Sequence, residues 1–495
     1  MRARWTPVPD WTILVPVAFY LVVVFGIGFY ASRTAPKDEK TFMEEYFIGS
    51  RSFGGFVLAM TFVATYISAS SYVGGPGAAY RYGLGWGFLA MIQLPTAVLT
   101  LSVLGKKFAI VGRRINAVTL NDFLRRRYES KTVVILGALC VLAFFSAAMS
   151  AQFIGGARLF EVLMGVPYRW SLSIFAVTVV AYTTIGGFRA VALTDAIQGV
   201  VMLVGVVIAL FGIVNLGGGM ESIIMRLKET DPGLITPFGP DGFITKPFLL
   251  SFWVLVGFAV IGLPQSAVRC MAYRDSKSLH RGIVYSTVSL GFILLVMHFT
   301  GAIGQAIIPG LEVGDRVVPT MVLQVMPPVI AGIFIAGPVA SIMSTIDSQL
   351  ILASAAIVKD LYLNYINPDA GKRGLMQLSI AFTALLGVVV FMVSLNPPPL
   401  LIWINLFAFG GLEAAFLWPT VLGLYWRRGN ATGALASMIV GVGTYVTISQ
   451  WKIALLGPRV NAVVPTLLLS LIAFVVVSLL TPKPKEEIVD LFFRP

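Results

Sequence analysis

Long apolar runs recur along nearly the whole chain, from residue 11 to residue 480, and they constrain its fold more than any other feature. Many of them reach the length of about 20 residues that an α-helix needs to cross the hydrocarbon core of a bilayer. Lipid offers no hydrogen-bond partners, so the backbone of such a run must satisfy its own polar groups as helix. The chain is therefore expected to be an all-α protein that crosses a membrane many times.

The composition agrees with this interpretation. Of the 495 residues, 57% are hydrophobic and 12% are charged, whereas a soluble globular domain carries roughly 25% charged residues. The first apolar run, residues 11–30, is too long for the core of a signal peptide. We therefore expect it to be retained as a helix.

Cutting the chain at its polar connections predicts thirteen spans. Their approximate bounds are 11–31, 53–80, 87–107, 132–160, 170–187, 194–215, 249–270, 282–308, 328–358, 375–394, 400–425, 430–450 and 462–480. Of the 36 Lys and Arg residues, 25 fall on the side of the 33–51 connection. The positive-inside rule places that side in the cytoplasm, with the amino terminus outside and the carboxyl terminus inside. Topology thus accounts for most of the net charge of +13, which does not indicate nucleic-acid binding.

Two of these spans contain residues that do not suit a continuous helix. The second is rich in β-branched and hydroxyl residues over 61–72 and then reads Gly-Gly-Pro-Gly over 74–77, with unwinding expected at Thr65 and Tyr66. The seventh is interrupted at Gly257 and at residues 262–264. If the first span is set aside, these are the first and sixth of ten helices, the arrangement in which discontinuous helices hold substrate and ion at the bilayer midplane.

This arrangement predicts a LeuT-like core with a five-plus-five inverted repeat. The chain then divides into an additional amino-terminal helix with its connection (1–52), a ten-helix transport core (53–425) and two carboxyl-terminal helices with a short tail (426–495).

The ninth span carries a stripe of hydroxyl groups at helical spacing. Its members are Ser341, Ser344, Thr345 and Ser348. Neutral oxygens suit a monovalent cation that must also leave its site, although such a stripe also suits close packing of helices. Asp347 favours a functional interpretation, since an acidic group within a membrane is costly; the alternative is that it pairs with a cation such as Arg189.

The sequence gives little support for a disulfide framework, a metal site, a phosphate-binding loop, an enzyme or a channel. Cys140 and Cys270 are far apart and predict no disulfide framework. Two histidines in the chain are too few for a histidine-rich metal site. No glycine-rich run is followed by the Gly-Lys-Ser/Thr of a phosphate-binding loop. Neither a catalytic set nor a channel filter loop is recognisable, so a transporter is favoured over an enzyme or a channel.

Two motifs identify the chain as similar to a known family. Residues 182–190 (Tyr-Thr-Thr-Ile-Gly-Gly-Phe-Arg-Ala) and 423–434, closing at Gly441, resemble the signature patterns of the sodium:solute symporter family. Runs such as 64–79 and 409–414 further resemble the members that carry pantothenate. The resemblance implies sodium-coupled uptake of pantothenate by alternating access across a bacterial cytoplasmic membrane. Another organic acid, such as a short monocarboxylate, proline or sialic acid, is the alternative substrate.

The resemblance also implies ion ligands. By motif position, one sodium ion would be held by the carbonyls of Ala64, Ile67 and Ser341 and the hydroxyls of Ser344 and Thr345. Some family members bind a second sodium ion, for which the matching residues are Asp195, Asp347 and Ser348. Asp347 stands where such members often carry serine, which leaves the second site open. Asp195 also lies near a predicted helix start, where an acidic residue often serves the helix dipole.

Pantothenate presents a carboxylate, an amide and two hydroxyls, so its site needs neutral hydrogen-bonding groups and one positive end. The candidates are Ser68, Ser70, Ser71, Gln152, Gln265 and Arg158. Free amide groups at the start of the second half of the broken helix are expected to hold the carboxylate. Arg158 is either a further anchor or an arginine that snorkels to the membrane interface.

Overall fold

The computed structural model describes residues 11–33, 51–216 and 218–494, and its regular secondary structure is helical. No β-strand occurs in these ranges, where Phe53 and Tyr273 form an isolated bridge. The α-helices, numbered in chain order, are α1 Trp11–Arg33, α2 Gly55–Tyr66, α3 Gly75–Tyr82, α4 Leu84–Ala90, α5 Thr96–Thr100, α6 Lys106–Arg114, α7 Leu120–Tyr128, α8 Lys131–Met164, α9 Tyr168–Leu216, α10 Met220–Thr230, α11 Lys246–Phe252, α12 Pro264–Met271, α13 Ser276–Ile307, α14 Val317–Val325, α15 Pro328–Ala355, α16 Lys372–Ser394, α17 Ile402–Tyr425, α18 Ala431–Trp451, α19 Val463–Leu480 and α20 Glu486–Phe493.

Within the described ranges, nine helices are long and apolar enough to cross a membrane, and the number rises to eleven when each of two bent helix pairs counts as one span. Two shorter apolar stretches, Trp11–Ile27 and Tyr168–Ala181, coincide with the predicted first and fifth spans. Helix α9 contains both the second of these and the long stretch Thr194–Gly212. If straight, its 49 residues would extend roughly 70 Å, about twice the thickness of the hydrocarbon core. We therefore treat the two stretches separately.

Both predicted breaks are present. Helix α2 ends at Tyr66, Ile67 is extended (φ −68°, ψ 131°), and the chain bends by 66° before a helical segment resumes at Ser70. In the second pair the bend is 46°, at the extended residue Leu263. The first break begins at Ile67 and not at Thr65 as predicted, two residues later, because the Ile67 amide still donates to the Val63 carbonyl at 2.8 Å and so completes the last helical turn through Tyr66.

The predicted ninth span was too short. A π-helical segment, Ala356–Ile366, continues α15 well beyond the predicted end at residue 358. Asp360 falls in the polar connection predicted after the ninth span, yet it is only 2% exposed. Its carboxylate accepts hydrogen bonds from the side chains of Thr119 and Asn121, both at 2.9 Å, so burial is compensated by partners.

These contacts belong to a cluster of buried polar groups that fastens α7 to the end of α15. Asp122 forms an ion pair with Lys359 and a capping box with Thr119 at the start of α7. We call Thr119, Asn121, Asp122, Lys359 and Asp360 the α7 clasp. Burial alone would raise the pKa of Asp122, but Lys359, backbone amide donors and Arg125 together hold that pKa below its usual value.

Helix α15 lies at the centre of the bundle. It packs against α1, α8, α9 and α2, and every residue over 334–355 is buried. Its polar side chains therefore face other helices and not lipid. Helix α13 packs against both halves of the first broken span. This contact is so close that a Cβ atom on Gly301 would lie 2.2 Å from the carbonyl oxygen of Pro76.

Candidate functional site

Five oxygen atoms converge where α15 crosses the break after α2. The Ser344 hydroxyl lies 2.7 Å from the Ala64 carbonyl oxygen and 3.0 Å from that of Ser341. The Thr345 hydroxyl lies 3.0 Å from the Ile67 carbonyl oxygen and 2.9 Å from that of Ser341. The structure thus brings together all five groups that the sequence motif assigned to a sodium ion.

This group of oxygens is suited to a cation. Two hydroxyls supply only two hydrogens, whereas three carbonyls and two hydroxyl oxygens supply many lone pairs. The group is also shielded from water: of the five residues, Thr345 is the most exposed, and it is only 3% exposed. Oxygen ligands without formal charge hold a monovalent cation weakly enough for it to leave. We call this arrangement the first cation site.

The break leaves carbonyls free because the amides that follow it donate to nearby side chains and to the Ser68 carbonyl. The Ala69 amide donates to Gln152 Oε1 at 2.7 Å, and the Ser70 amide donates to the Ser68 hydroxyl oxygen at 3.2 Å. The amides of Ser71 and Tyr72 donate to the Ser68 carbonyl. The expectation that free amides here would hold a substrate carboxylate is therefore wrong, because local partners already occupy them. Ser68 and Gln152 instead position the break.

The residues assigned to a second sodium ion lie near an arginine that the sequence analysis missed. Arg269 Nη2 is 3.2 Å from Asp195 Oδ2 and 2.8 Å from the Ser348 hydroxyl, and Arg269 is 1% exposed. Asp195 lies near the start of the apolar stretch Thr194–Gly212, and its carboxylate pairs with Arg269. We call Asp195, Arg269, Asp347 and Ser348 the second cluster.

Asp347 has a different partner within this cluster. Its Oδ1 accepts a hydrogen bond from the Thr183 hydroxyl, and its Oδ2 has no hydrogen-bond partner in the described part of the chain. The side chain of Arg189, its alternative predicted partner, lies outside the described residues. Gln198 lies three residues after Asp195, and its Nε2 donates to the Tyr20 hydroxyl at 3.0 Å. Helix α1 therefore also contacts this part of the bundle.

A cavity lies beside the first cation site, between the first broken span, α13 and α17. The cavity is narrow: the space between its lining atoms is about 410 Å³ with open solvent included, and about 30 Å³ of it can hold the centre of a water molecule. The polar side chains that line it are Ser70, Ser71, Trp86, Gln93, His298 and Asn405. Its other lining residues are apolar, so the lining contains neither Lys, Arg, Asp nor Glu.

Only two of the predicted substrate residues, Ser70 and Ser71, line this cavity. Gln265 is buried at the start of α12 and is not among the lining residues. Arg158 is engaged elsewhere: its guanidinium lies 2.9 Å from the Glu161 carboxylate and packs over the ring of Tyr168.

The sequence patterns did not identify the other polar lining residues as substrate candidates, although each is a polar side chain within an apolar run. They are Trp86, Gln93, His298 and Asn405. His298 Nδ1 lies 2.8 Å from the Leu294 carbonyl oxygen. A carbonyl only accepts, so Nδ1 carries the hydrogen and Nε2 is left as an acceptor. The absence of a side chain at Gly75 makes room for this ring, since a Cβ there would lie 2.1 Å from Nε2.

Gln93 connects the cavity to the first cation site. Its Oε1 accepts a hydrogen bond from the Tyr66 hydroxyl at 3.1 Å, and Tyr66 immediately precedes Ile67, whose carbonyl is one of the five converging oxygens. On the other side of the break, Ser70 and Ser71 line the cavity three and four residues after Ile67. The same short stretch of backbone thus borders both sites.

Comparisons with known proteins agree with this geometry. The chain is 52% identical to the sodium/pantothenate symporter of Haemophilus influenzae and 53% identical to that of Escherichia coli, covering 94% of this chain and 95% of each relative. It is 30% identical to an osmoregulated proline transporter of Bacillus subtilis, over 97% of both chains.

Solved structures show the same fold at much lower identity. A substrate-bound, outward-open Na⁺-coupled sialic acid symporter matches with a TM-score of 0.77 and 18% identity, covering 96% of this chain and 99% of that one. Mhp1, a nucleobase-cation-symport-1 family transporter, matches with a TM-score of 0.56 and 15% identity, over 90% of this chain and 97% of that one. These neighbours have the LeuT fold. Since the sequence model of the sodium:solute symporter family matches residues 46–441, and relatives more than half identical align over nearly the full length, this chain belongs to that family.

Proposed function

We propose that the protein takes up pantothenate together with sodium by alternating access across the bacterial inner membrane. The observation that carries the proposal is the juxtaposition of the first cation site and a cavity with neutral polar groups on either side of one helix break. The identity above 50% to two sodium/pantothenate symporters supports the choice of substrate.

The proposed architecture has thirteen spans, reached by adding the two shorter apolar stretches to the eleven spans described above. Residues 53–425 form the ten-helix core with its inverted repeat, flanked by 1–52 and 426–495. The distribution of Lys and Arg supports an external amino terminus and a cytoplasmic carboxyl terminus.

The first cation site would hold the transported sodium ion on Ala64, Ile67, Ser341, Ser344 and Thr345. In the cavity, the hydroxyls of Ser70 and Ser71 can donate to the substrate carboxylate. His298 Nε2 can accept a hydrogen bond from a pantothenate hydroxyl or its amide N–H. The lining supplies no cation to the carboxylate, so the nearby sodium ion would be the positive end of the site.

The helix break after α2 would couple sodium binding to substrate binding. A sodium ion on the carbonyls of Ala64 and Ile67 fixes the backbone that positions Ser70, and the Tyr66–Gln93 hydrogen bond connects the same turn to the opposite wall of the cavity. An ion that orders a binding site lowers the conformational cost of binding the substrate. Sodium and substrate would therefore favour each other's binding, as linkage requires.

Uptake of labelled pantothenate into proteoliposomes tests the proposal. We expect uptake when sodium is higher outside than inside, and none when potassium replaces sodium. Excess unlabelled pantothenate should compete, whereas excess proline or sialic acid should not. Sodium-driven uptake of proline that excess pantothenate leaves unaffected would contradict the choice of substrate while leaving the sodium mechanism intact.

Replacing His298 with alanine tests the cavity. Loss of one hydrogen bond in a dry site costs about 1.4 kcal/mol, so the KM for pantothenate is expected to rise roughly tenfold. Half-saturation by sodium, measured at saturating pantothenate, should change much less. The matched control is His280→Ala, which removes the other histidine, an exposed one, and should leave both values unchanged. Equal KM values for the two variants would show that pantothenate does not bind against His298 in this cavity.

A further inference from the structure

The second cluster contains a fixed positive charge where a second cation would be expected to bind. Arg269 Nη2 lies 3.2 Å from Asp195 Oδ2 and 2.8 Å from the hydroxyl of Ser348. All three residues are at most 1% exposed. Two of the three residues that the family motif assigns to a second sodium ion therefore already bind a cation that belongs to the protein.

A guanidinium group has an advantage over a free ion at these ligands. It is attached to α12, so it loses no translational freedom when it binds, as a sodium ion must. It is also directional, because its planar N–H groups point at chosen oxygens. A sodium ion beside it would be repelled, since like charges interact strongly where little water is present.

We propose that Arg269 is a tethered cation that takes the place of a second sodium ion, so that one sodium ion moves with each substrate molecule. The inference rests on the proposed function and adds its coupling ratio. Because pantothenate carries one negative charge, such a cycle would move no net charge across the membrane.

The accumulation ratio of the unaltered protein decides the coupling ratio. At zero membrane potential, a tenfold inward sodium gradient supports about tenfold accumulation of pantothenate with one ion and about hundredfold with two. We expect about tenfold accumulation in proteoliposomes, and no change when an inside-negative potential is imposed. Accumulation near hundredfold, or accumulation that rises with the potential, would overturn the proposal. Absence of any sodium-driven pantothenate uptake would instead overturn the proposed function, and the coupling ratio with it.

Substitution of Arg269 tests whether the arginine is responsible. In Arg269→Gln, the vacated ligands are expected to accept a second sodium ion, which would raise the Hill coefficient for sodium from about one to about two and make accumulation sensitive to potential. Arg269→Lys keeps the positive charge but not the planar guanidinium, so its Hill coefficient for sodium should stay near one even if its uptake rate falls. Arg274→Gln, which removes a nearby arginine whose side chain is 68% exposed, should behave as the unaltered protein. A transporting Arg269→Gln protein with a Hill coefficient of one would show that Arg269 does not exclude a second ion. If that variant fails to fold, the accumulation ratio of the unaltered protein still decides the proposal.

Discussion

Replacing Ser344 or Thr345 with alanine is expected to raise the sodium concentration for half-maximal uptake by roughly tenfold or more. Each change removes one of five oxygens from a buried cation, and a lost polar partner in a dry site costs about 1–3 kcal/mol. The helix itself should survive, because alanine is the best helix former. Sodium titrations of initial pantothenate uptake, made at saturating substrate, measure the effect.

Ser354→Ala is the matched control for this pair. Ser354 lies on the same helix and is also buried, but its hydroxyl donates to the Ser379 carbonyl at 3.4 Å and does not approach the first cation site. Its sodium titration should match that of the unaltered protein. If all three variants gave the same titration, the convergence of α15 with the break after α2 would not be the sodium site.

Gly301→Ala is expected to reduce the rate of pantothenate uptake at least tenfold. The added methyl group would lie 2.2 Å from the carbonyl oxygen of Pro76 and 2.4 Å from its Cα atom, so backbone must move apart from backbone. Overpacking of this kind costs about 1–3 kcal/mol. It would also displace His298, one turn earlier on α13, from the cavity that the ring lines. A thermal melt of the purified protein and the initial uptake rate measure the two effects.

A glycine with open space around it supplies the control. Gly443 lies within α18, and a Cβ atom there would meet no atom within 4 Å. Because alanine is favoured over glycine in a helix interior by about 1 kcal/mol, Gly443→Ala should be at least as stable as the unaltered protein. Full activity and stability in Gly301→Ala would contradict the close contact between α13 and α3.

The sequence alone was sufficient to predict the parts of this protein that depend on local pattern. The breaks at Ile67 and Leu263 follow from residues that resist continuous helix. The hydroxyl face of α15 follows from helical periodicity. Together with the family motif, these patterns predict that the five oxygens of the first cation site lie close together, because each occupies a fixed offset from a recognisable local feature.

The remaining features depend on contacts between residues distant in sequence, which local pattern does not reveal. Arg269 ends an apolar span, where the positive-inside rule assigns it to a polar connection, and only packing against Asp195 shows that it is buried. Gln152 has the composition of a substrate ligand, yet it caps the amide of Ala69 across 83 residues. Gln93 and Asn405 were identifiable as polar residues in apolar runs, but nothing local indicates that they face one cavity.

The α7 clasp has a consequence for the transporter when sodium and substrate are not bound. In the proposed orientation it lies at the cytoplasmic end of the bundle, and separating α7 from the end of α15 would part Asp122 from Lys359, and Asp360 from Thr119 and Asn121. Any inward opening that moved α7 away from α15 would have to break these buried contacts together. The clasp would then favour the inward-closed carrier and oppose leakage of sodium down its gradient.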